Sequence, residues 1–417
     1  MLNLENDIIY AYERDEDISA LSLTSHGTRD SYRRHSASTT MLHKDHYWII
    51  EADSIRTKFV IEEFFTPSFD VIQFANSYSK KGIESTLFLD FFEEVDEKME
   101  EWGRCLRPWT GLLLYKYRKF RVENCYGDSV SVEYPLVSVE IYGGINNTTH
   151  ISYGGPLNFS EFKEMFFSLL TEECGLLSNL DVGTVSIADF NVTSIALNGY
   201  SLGTLLHEAV GHLLEYDHAQ SLGLKVGTGL TQNIDVCESP KDISFGFYPC
   251  SDEGFESDET VLLADGIIQD LLGSFSVTGA PHSHGRAQQC TDLPLPRNTC
   301  LKMKGGTGRK EALFQDTCVV YIHKKVKPIL EKVENGIPFY DLTVPEAYIV
   351  RNEEFIGKLN NLHMTLDFGH FLDKALITSK VRGNQVGYCV KSQQRVESTQ
   401  FAPDIAIPVE NVRIYRG

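Results

Sequence analysis

The sequence has no surplus of basic residues. Its 417 residues include 38 Lys and Arg against 58 Asp and Glu, which gives a formal net charge of −20. Proteins that bind nucleic acids use Lys and Arg to displace counterions from the phosphate backbone, and a strongly acidic surface repels that backbone. The composition therefore argues against nucleic acid as a partner.

Long apolar runs are also missing. The longest ones, such as residues 111–115 and 165–170, are far shorter than the roughly 20 residues that span a bilayer. Residues 1–17 mix acidic and apolar residues and show neither the basic start nor the apolar core of a signal peptide. We therefore expect a soluble, cytoplasmic protein with no membrane partner.

The nine cysteines are scattered, and no CxxC pair occurs among them. An odd, dispersed set argues against a disulfide framework and for a reducing compartment. The chain also lacks low-complexity tracts and repeats of about 20–50 residues, which excludes solenoid architectures. What remains is a globular chain, with 42% hydrophobic residues, that can bury substantial cores.

Hydrophobic periodicity predicts an α+β protein. Apolar residues at alternating positions indicate strands, and those at helical spacing indicate helices. A capping box at Asn158 and Glu161 opens one predicted helix, Ser201 is predicted to cap another, and Asp265-Gly266 suits a tight hairpin turn. The predicted strands and β-rich regions lie at 47–51, 59–65, 112–142, 183–188, 194–197 and 260–272, and the predicted helices at 91–102, 161–174, 201–217 and 314–333.

The most informative motif is His207-Glu208-Ala-Val-Gly211-His212, set between leucine pairs. Two imidazoles and a carboxylate are costly to bury in an apolar helix unless a divalent metal or hydrogen bonds satisfy them, and for an isolated match both alternatives stay open. Histidines five residues apart lie about 140° apart on a regular α-helix, too far to share one ion. We therefore predict a π-type bulge or a break near Gly211, since glycine makes such a distortion inexpensive.

The motif and its surroundings resemble the TldD/PmbA family of zinc metallopeptidases. The segment LLHEAVGHLLEYD follows an Asn-Gly turn, as the family's HExxxH segment does. Further matches follow in order along roughly residues 110–417: Asp252-Glu253-Gly254 before the hairpin, HGRAQQCTDLPLPRNT, PEAYIVRN and VGYCVKSQQ. Several ordered motifs are much harder to obtain by chance than one short pattern.

The resemblance implies that His207, His212 and Cys389 bind Zn²⁺ and that Glu208 is the catalytic base. The sequence alone cannot distinguish Cys389 from the other eight cysteines. A set of two His and one Cys leaves one tetrahedral position open, as catalytic zinc sites do. The resemblance also implies an N-terminal α/β portion, placed at 1–107, and a β-rich C-terminal domain with the metal-binding helix, within 108–417.

Family members are similar to one another in forming dimers, so we expect a homodimer or a heterodimer with a TldE/PmbA-like subunit. The expected reaction is hydrolysis of short or unfolded peptides. An alternative is a specialised enzyme of a natural-product pathway acting on a small peptide-like or amino-acid-derived molecule. Similar proteins also occur in such pathways, and the shorter, divergent N-terminal part would suit a remodelled pocket. After Cys389, Val390-Lys391-Ser-Gln-Gln replaces the family's glycine-rich continuation. A non-enzymatic binding role is disfavoured, since the expected ligands and the glutamate are all present.

Six further residues, in three pairs, are secondary candidates. His282 and His284 have the spacing of two ligands on one strand face, but adjacent Pro and Gly favour a loop. Glu215 and Asp217 would orient a ligating imidazole or form a solvated helix end. The neighbouring pair Arg297-Asn298 would position substrate or form a structural turn.

Overall fold

The structure is a computed structural model. It describes residues 8–24, 29–43, 46–51, 71–73, 85–102, 108–124, 129–143, 149–177, 182–288, 292–315, 318–323, 326–334, 336–383 and 385–415. The strand predicted at 59–65 lies outside these residues. The structure is mixed and strand-rich, so the α+β prediction is confirmed.

The first sheet is built mainly from long antiparallel strands. Within the described residues its order is β3-β2-β1-β5-β6, and β4 and β7 both pair with β6. The β4–β6 pairing is parallel. The strands are β1 (Ile8–Thr24), β2 (Arg29–His43), β3 (His46–Glu51), β4 (Val71–Gln73), β5 (Trp109–Asn124), β6 (Ser129–Gly143) and β7 (Thr149–Gly155).

Two amphipathic helices, α1 (Ser85–Trp102) and α2 (Phe159–Leu177), pack on this sheet. Their phenylalanines form an aromatic core with residues from β5, β6 and β7. Asn158 caps α2 as predicted, since its side-chain oxygen accepts a hydrogen bond of 2.9 Å from the Glu161 backbone amide. Met165 on α2 is half exposed.

The second sheet supports the motif helix. Its main order is β11-β10-β9-β14-β21-β8-β15-β17-β18-β22, with β16 on β17 and both β19 and β20 on β21. A separate ribbon pairs β12 with β13. The strands are β8 (Ser194–Leu197), β9 (Val236–Glu238), β10 (Thr260–Ala264), β11 (Ile267–Ile268), β12 (Gly285–Arg286), β13 (Leu295–Pro296), β14 (Cys300–Met303), β15 (Val319–Ile322), β16 (Lys327–Glu334), β17 (Ile337–Arg351), β18 (Glu354–Asp367), β19 (Leu376–Arg382), β20 (Gly387–Lys391), β21 (Gln394–Pro408) and β22 (Val412–Tyr415).

A helical segment lies on this sheet in the larger apolar core. It comprises α3 (Gly199–Leu206), a π-helix (His207–His212) and α4 (Tyr216–Ser221), and a short α5 (Phe275–Thr278) follows later. Ser201 was predicted to cap α3, but the cap is Asn198. The Asn198 side-chain oxygen accepts a hydrogen bond of 2.9 Å from the Ser201 backbone amide. The leucines around the motif are fully buried and fix this segment against β21 and β8.

Two secondary-structure predictions were wrong. The helix predicted over 314–333 is instead β15 and β16, since Val-Val-Tyr-Ile favours a buried strand and Pro328 breaks helical hydrogen bonding. The strand predicted over 183–188 is one bridge at Thr184 followed by a 3₁₀-helix at Ile187–Asp189. The 260–272 hairpin is confirmed, with positive φ at Asp265 and Gly266.

A buried ionic cluster joins the two sheets. Glu397 on β21 accepts hydrogen bonds from Lys116 at 2.6 Å and Arg118 at 3.1 Å, both on β5. These cations keep the pKa of Glu397 low although burial opposes this. The division at residue 107 stays a prediction, and the first sheet contains strands from both sides of it.

None of the helices that the structure describes is long and apolar enough to cross a membrane.

Candidate metal centre

The HExxxH segment forms a π-helix over His207–His212. Hydrogen bonding from residue i to i+5 places side chains five residues apart on nearly the same face, so the two histidines converge. Their ring centroids lie 4.8 Å apart. The bulge predicted from the spacing is therefore present. A Cβ on Gly211 would lie 2.4 Å from the side chain of Asn298, which comes just before β14. Glycine therefore allows the π-helix to approach this segment closely.

Cys389 on β20 meets the two histidines. One donor atom from each of His207, His212 and Cys389 lies within 4.8 Å of the others, and no other such trio occurs among the described residues. The sulfur lies 3.5 Å from Nε2 of His212. Residues 177 positions apart in sequence thus form one donor cluster.

The donor set fits a zinc ion. With zinc–nitrogen distances of about 2.0–2.1 Å and a zinc–sulfur distance of about 2.3 Å, ligand atoms of a tetrahedron lie about 3.5 Å apart. The His212–Cys389 separation has this value, and the three side chains are buried or nearly so. Two imidazoles and one thiolate are also zinc's preferred kinds of ligand.

Other side chains orient both imidazoles. Nδ1 of His212 lies 3.1 Å from the Glu215 carboxylate, which also accepts a hydrogen bond from Lys391 at 3.0 Å. The Gln400 side-chain amide lies 2.8 Å from Nδ1 of His207. When Nδ1–H of His212 donates to the Glu215 carboxylate, Nε2 of that ring is left free to bind a metal. The Gln400 contact fixes the direction of the His207 ring.

The same contacts govern the proton on His212. Burial alone lowers the pKa of this imidazole, but hydrogen bonds with Cys389 and Glu215 raise the pKa to about 11. A metal ligated through the imidazole takes the place of a proton, so metal and proton compete here.

Glu208 lies beside the donor cluster at the wall of a cavity of about 750 Å³. Burial is the main cause that raises the pKa of its carboxyl group. Its backbone carbonyl accepts a hydrogen bond from Tyr340 at 3.1 Å, which fixes the helix at this position. The side chain can therefore act as a base toward groups in the cavity.

The strand hairpin β20–β21 forms the opposite wall. Tyr388, Val390 and Lys391 from β20 and Gln400 from β21 line the cavity. Lys391 donates to Glu215 and, at 2.6 Å, to Asp217. The cavity beside the donor cluster is thus lined by polar and apolar side chains of the β20–β21 hairpin.

The structure places the secondary candidates in different surroundings. Glu215 contacts the His212 imidazole, as one hypothesis proposed, and Asp217 pairs with Lys391. His284 is buried and hydrogen-bonds Thr260 and the Gly273 amide, so it belongs to the core.

Arg297 and Asn298 are completely buried, which removes direct substrate contact. Sequence reasoning missed Gln400, since no motif marks a single glutamine on a strand.

Comparison with known proteins gives a consistent result. Residues 191–403 match the family model for the PmbA/TldA metallopeptidase C-terminal domain. Metalloprotease MJ0996 of Methanocaldococcus jannaschii is 29% identical over 206 residues, covering 46% of this chain and 45% of that protein. A zinc metalloprotease TldD homolog of Saccharolobus solfataricus is 27% identical over 219 residues, covering 49% and 48%. The chain thus spans about half the length of these relatives.

The fold is shared along the whole chain. The crystal structure of TldE from Thermococcus kodakarensis superposes with a TM-score of 0.65 at 13% identity, covering 98% of this chain and 97% of that one. A β-rich fold holding a π-helix with two histidines beside a cysteine defines a metallopeptidase-like protein. The chain belongs to the PmbA/TldD family of metallopeptidases.

Proposed function

We propose that this chain is the metal-bearing subunit of a zinc-dependent peptidase that hydrolyses short or unfolded peptides in the cytoplasm. The observation that carries the proposal is the convergence of His207, His212 and Cys389 beside Glu208 in one cavity. These three donors would hold Zn²⁺. A relative named a zinc metalloprotease supports this choice of metal.

Glu208 is the proposed general base. When bound, zinc supplies Lewis-acid chemistry that polarises a carbonyl and makes water acidic near neutral pH. The Glu208 carboxylate accepts a proton from water in the cavity as the water oxygen bonds to the carbonyl carbon of the peptide. The C–N bond then breaks, and Glu208 passes the proton to the departing amine. Because Glu208 is adjacent to His207 on the π-helix, its carboxylate points to a different side of the helix and does not compete for the ligand position.

The cavity wall suits an extended peptide. Among the described residues, β20 pairs only with β21, and residues 387, 388, 390 and 391 of β20 border the cavity. A peptide added at this edge would form main-chain hydrogen bonds, which demand little of its sequence. This arrangement favours broad specificity for unfolded chains.

The proposed assembly is a dimer, formed with a second copy or with a TldE/PmbA-like subunit. The fold similarity to a protein named TldE supports such a relative as partner. Partner residues would then close part of the cleft.

Peptide cleavage tests the proposal. Full-length zinc-loaded protein, alone and with a TldE-like partner, is incubated with an unstructured peptide, and new termini are measured by mass spectrometry. We expect cleavage that a chelator abolishes and added Zn²⁺ restores. Small peptide-like molecules are assayed in parallel. Absence of peptide cleavage under both conditions contradicts the proposal, and turnover of the small molecules alone favours the natural-product alternative.

A further inference from the structure

Arg297 carries a charge that the fold has placed in its interior. Its side chain is completely buried, and among the described residues no carboxylate forms an ion pair with it. A buried guanidinium without a carboxylate is costly unless other groups satisfy its charge and its donors.

The contacts of Arg297 converge on the hairpin that carries Cys389. Nη2 donates to the carbonyls of Lys391 at 2.9 Å and Gln394 at 3.2 Å. Nη1 donates to the Cys389 carbonyl at 3.4 Å. One side chain thus holds both strands of the β20–β21 turn.

This turn needs such support. Ser392 and Gln393 have positive φ values of 49° and 66°, which side chains other than glycine adopt at a cost. The guanidinium binds the residues on both sides of them, Lys391 and Gln394. The position of Cys389, three residues before Ser392, therefore depends on these hydrogen bonds from Arg297.

The same guanidinium reaches the sulfur itself, with Nη1 3.5 Å from Sγ of Cys389. Cysteine binds zinc as the thiolate. The metal-bound sulfur would therefore be a negatively charged partner for the Arg297 guanidinium. A hydrogen bond to a ligand atom orients that atom and adjusts how strongly it donates to the metal.

We propose that Arg297 is a positioning residue for the metal centre, which fixes the Cys389 sulfur and partly neutralises it by an N–H···S hydrogen bond. The inference rests on the proposed zinc site. Arg297 does not touch substrate, since it is completely buried.

Arg286 offers a matched control. It is also a buried arginine, but it pairs with Asp252 at 3.3 Å and stacks on Tyr248, with 4.4 Å from its guanidinium carbon to the ring centroid. It makes no described contact with Cys389. Substituting it tests the general cost of losing a buried arginine.

The test compares Arg297→Gln with Arg286→Gln in the full-length protein. Zinc affinity is measured by competition with a chelating dye. The sulfur-to-metal charge-transfer band is measured after loading with Co²⁺. We expect Arg297→Gln to weaken zinc binding roughly 10- to 100-fold. We also expect its band to move to longer wavelength, because a sulfur without the hydrogen bond donates electrons more readily. Arg286→Gln should keep the parent's affinity and band.

Parent-like affinity and an unshifted band in Arg297→Gln would overturn the inference, as would equal losses in Arg286→Gln. Should the glutamine variants fold poorly, Arg297→Lys and Arg286→Lys decide by the same readouts, because lysine keeps the charge but not the guanidinium fork. A parent that binds no zinc contradicts the proposed function itself, which separates the two failures.

Discussion

At the scale of single residues, Glu208 has the most specific proposed role. Its neighbour His207 belongs to the donor cluster, whereas Glu208 lines the cavity and is absent from that cluster. Burial raises the pKa of its carboxyl group, which makes it a stronger base than an exposed glutamate. Metal binding and proton transfer are therefore assigned to different side chains.

Glu208→Gln should stop turnover without removing the metal. The amide keeps the size of the carboxylate but cannot accept a proton, so peptide cleavage should fall roughly 10²- to 10⁴-fold. Cleavage rate and zinc content are measured together, with exposed Glu410→Gln as the control. Undiminished cleavage by Glu208→Gln would refute the base role.

His284 predicts a pH dependence of stability. Burial lowers the pKa of His284 to about 3, and its ring accepts a hydrogen bond from the Gly273 amide while it contacts Thr260. The unfolded chain takes up this proton near pH 6.5, but the folded chain does not until about pH 3. Stability is thus fully present above pH 6.5 and falls as the pH decreases through this window.

Between pH 7 and 5 this one group should lower the free energy of unfolding by about 2 kcal/mol. Urea unfolding of the parent and of His284→Gln at both pH values isolates the effect, because other titrating groups are common to both. The variant should show a smaller decrease. Equal decreases in the two proteins would show that His284 does not titrate in this way.

At the scale of elements, the π-helix is the feature on which the donor cluster depends. Gly211 lies in it and faces Asn298, whose side chain is completely buried. The distortion that brings the histidines together is therefore tied to close packing against the segment before β14.

Gly211→Ala should disrupt this packing. The added Cβ would lie 2.4 Å from the Asn298 side chain, so we expect a loss of about 1–3 kcal/mol in stability and weaker zinc binding. Urea unfolding and zinc titration measure both effects. Gly229→Ala is the control, since none of the described residues lies within 4 Å of its new Cβ. Parent-like stability and zinc affinity in Gly211→Ala would contradict the packing argument.

The elements also show what the sequence could predict. The five-residue spacing of His207 and His212 predicted a π-type bulge or a break, because histidines this far apart on a regular helix cannot share one ion. The strands over Val319–Ile322 and Lys327–Glu334 were predicted as a helix, since short apolar runs do not distinguish a helix from a buried strand. Cys389 needed the family resemblance, and Gln400 left no signal, because tertiary pairing alone brings β20 and β21 to the histidines.

At the scale of the whole molecule, the charged cluster around Glu397 connects the two sheets next to a residue of the cavity wall. Its neighbour Ser398 lines the cavity, while Glu397 binds Lys116 and Arg118 from the first sheet. A displacement of the first sheet would therefore shift β21 through these ion pairs. This connection gives the first sheet a physical link to the proposed catalytic site.

We predict that the active form is a dimer. The family resemblance implies that a partner closes part of the cleft, so activity should follow the dimer fraction. Sedimentation velocity of the zinc-loaded protein, alone and with a TldE-like subunit, measures the assembly, and cleavage is assayed across the same concentrations. A stable monomer with full activity would contradict this prediction.

The central claim is a zinc centre made by two histidines and Cys389, and X-ray absorption at the zinc edge tests it most directly. The zinc-loaded parent should show nitrogen ligands at about 2.0–2.1 Å and one sulfur at about 2.3 Å. In Cys389→Ala the sulfur shell should vanish and zinc content should fall sharply, whereas Cys237→Ala should match the parent. A parent spectrum without a sulfur ligand, or a sulfur shell retained in Cys389→Ala, would contradict the account.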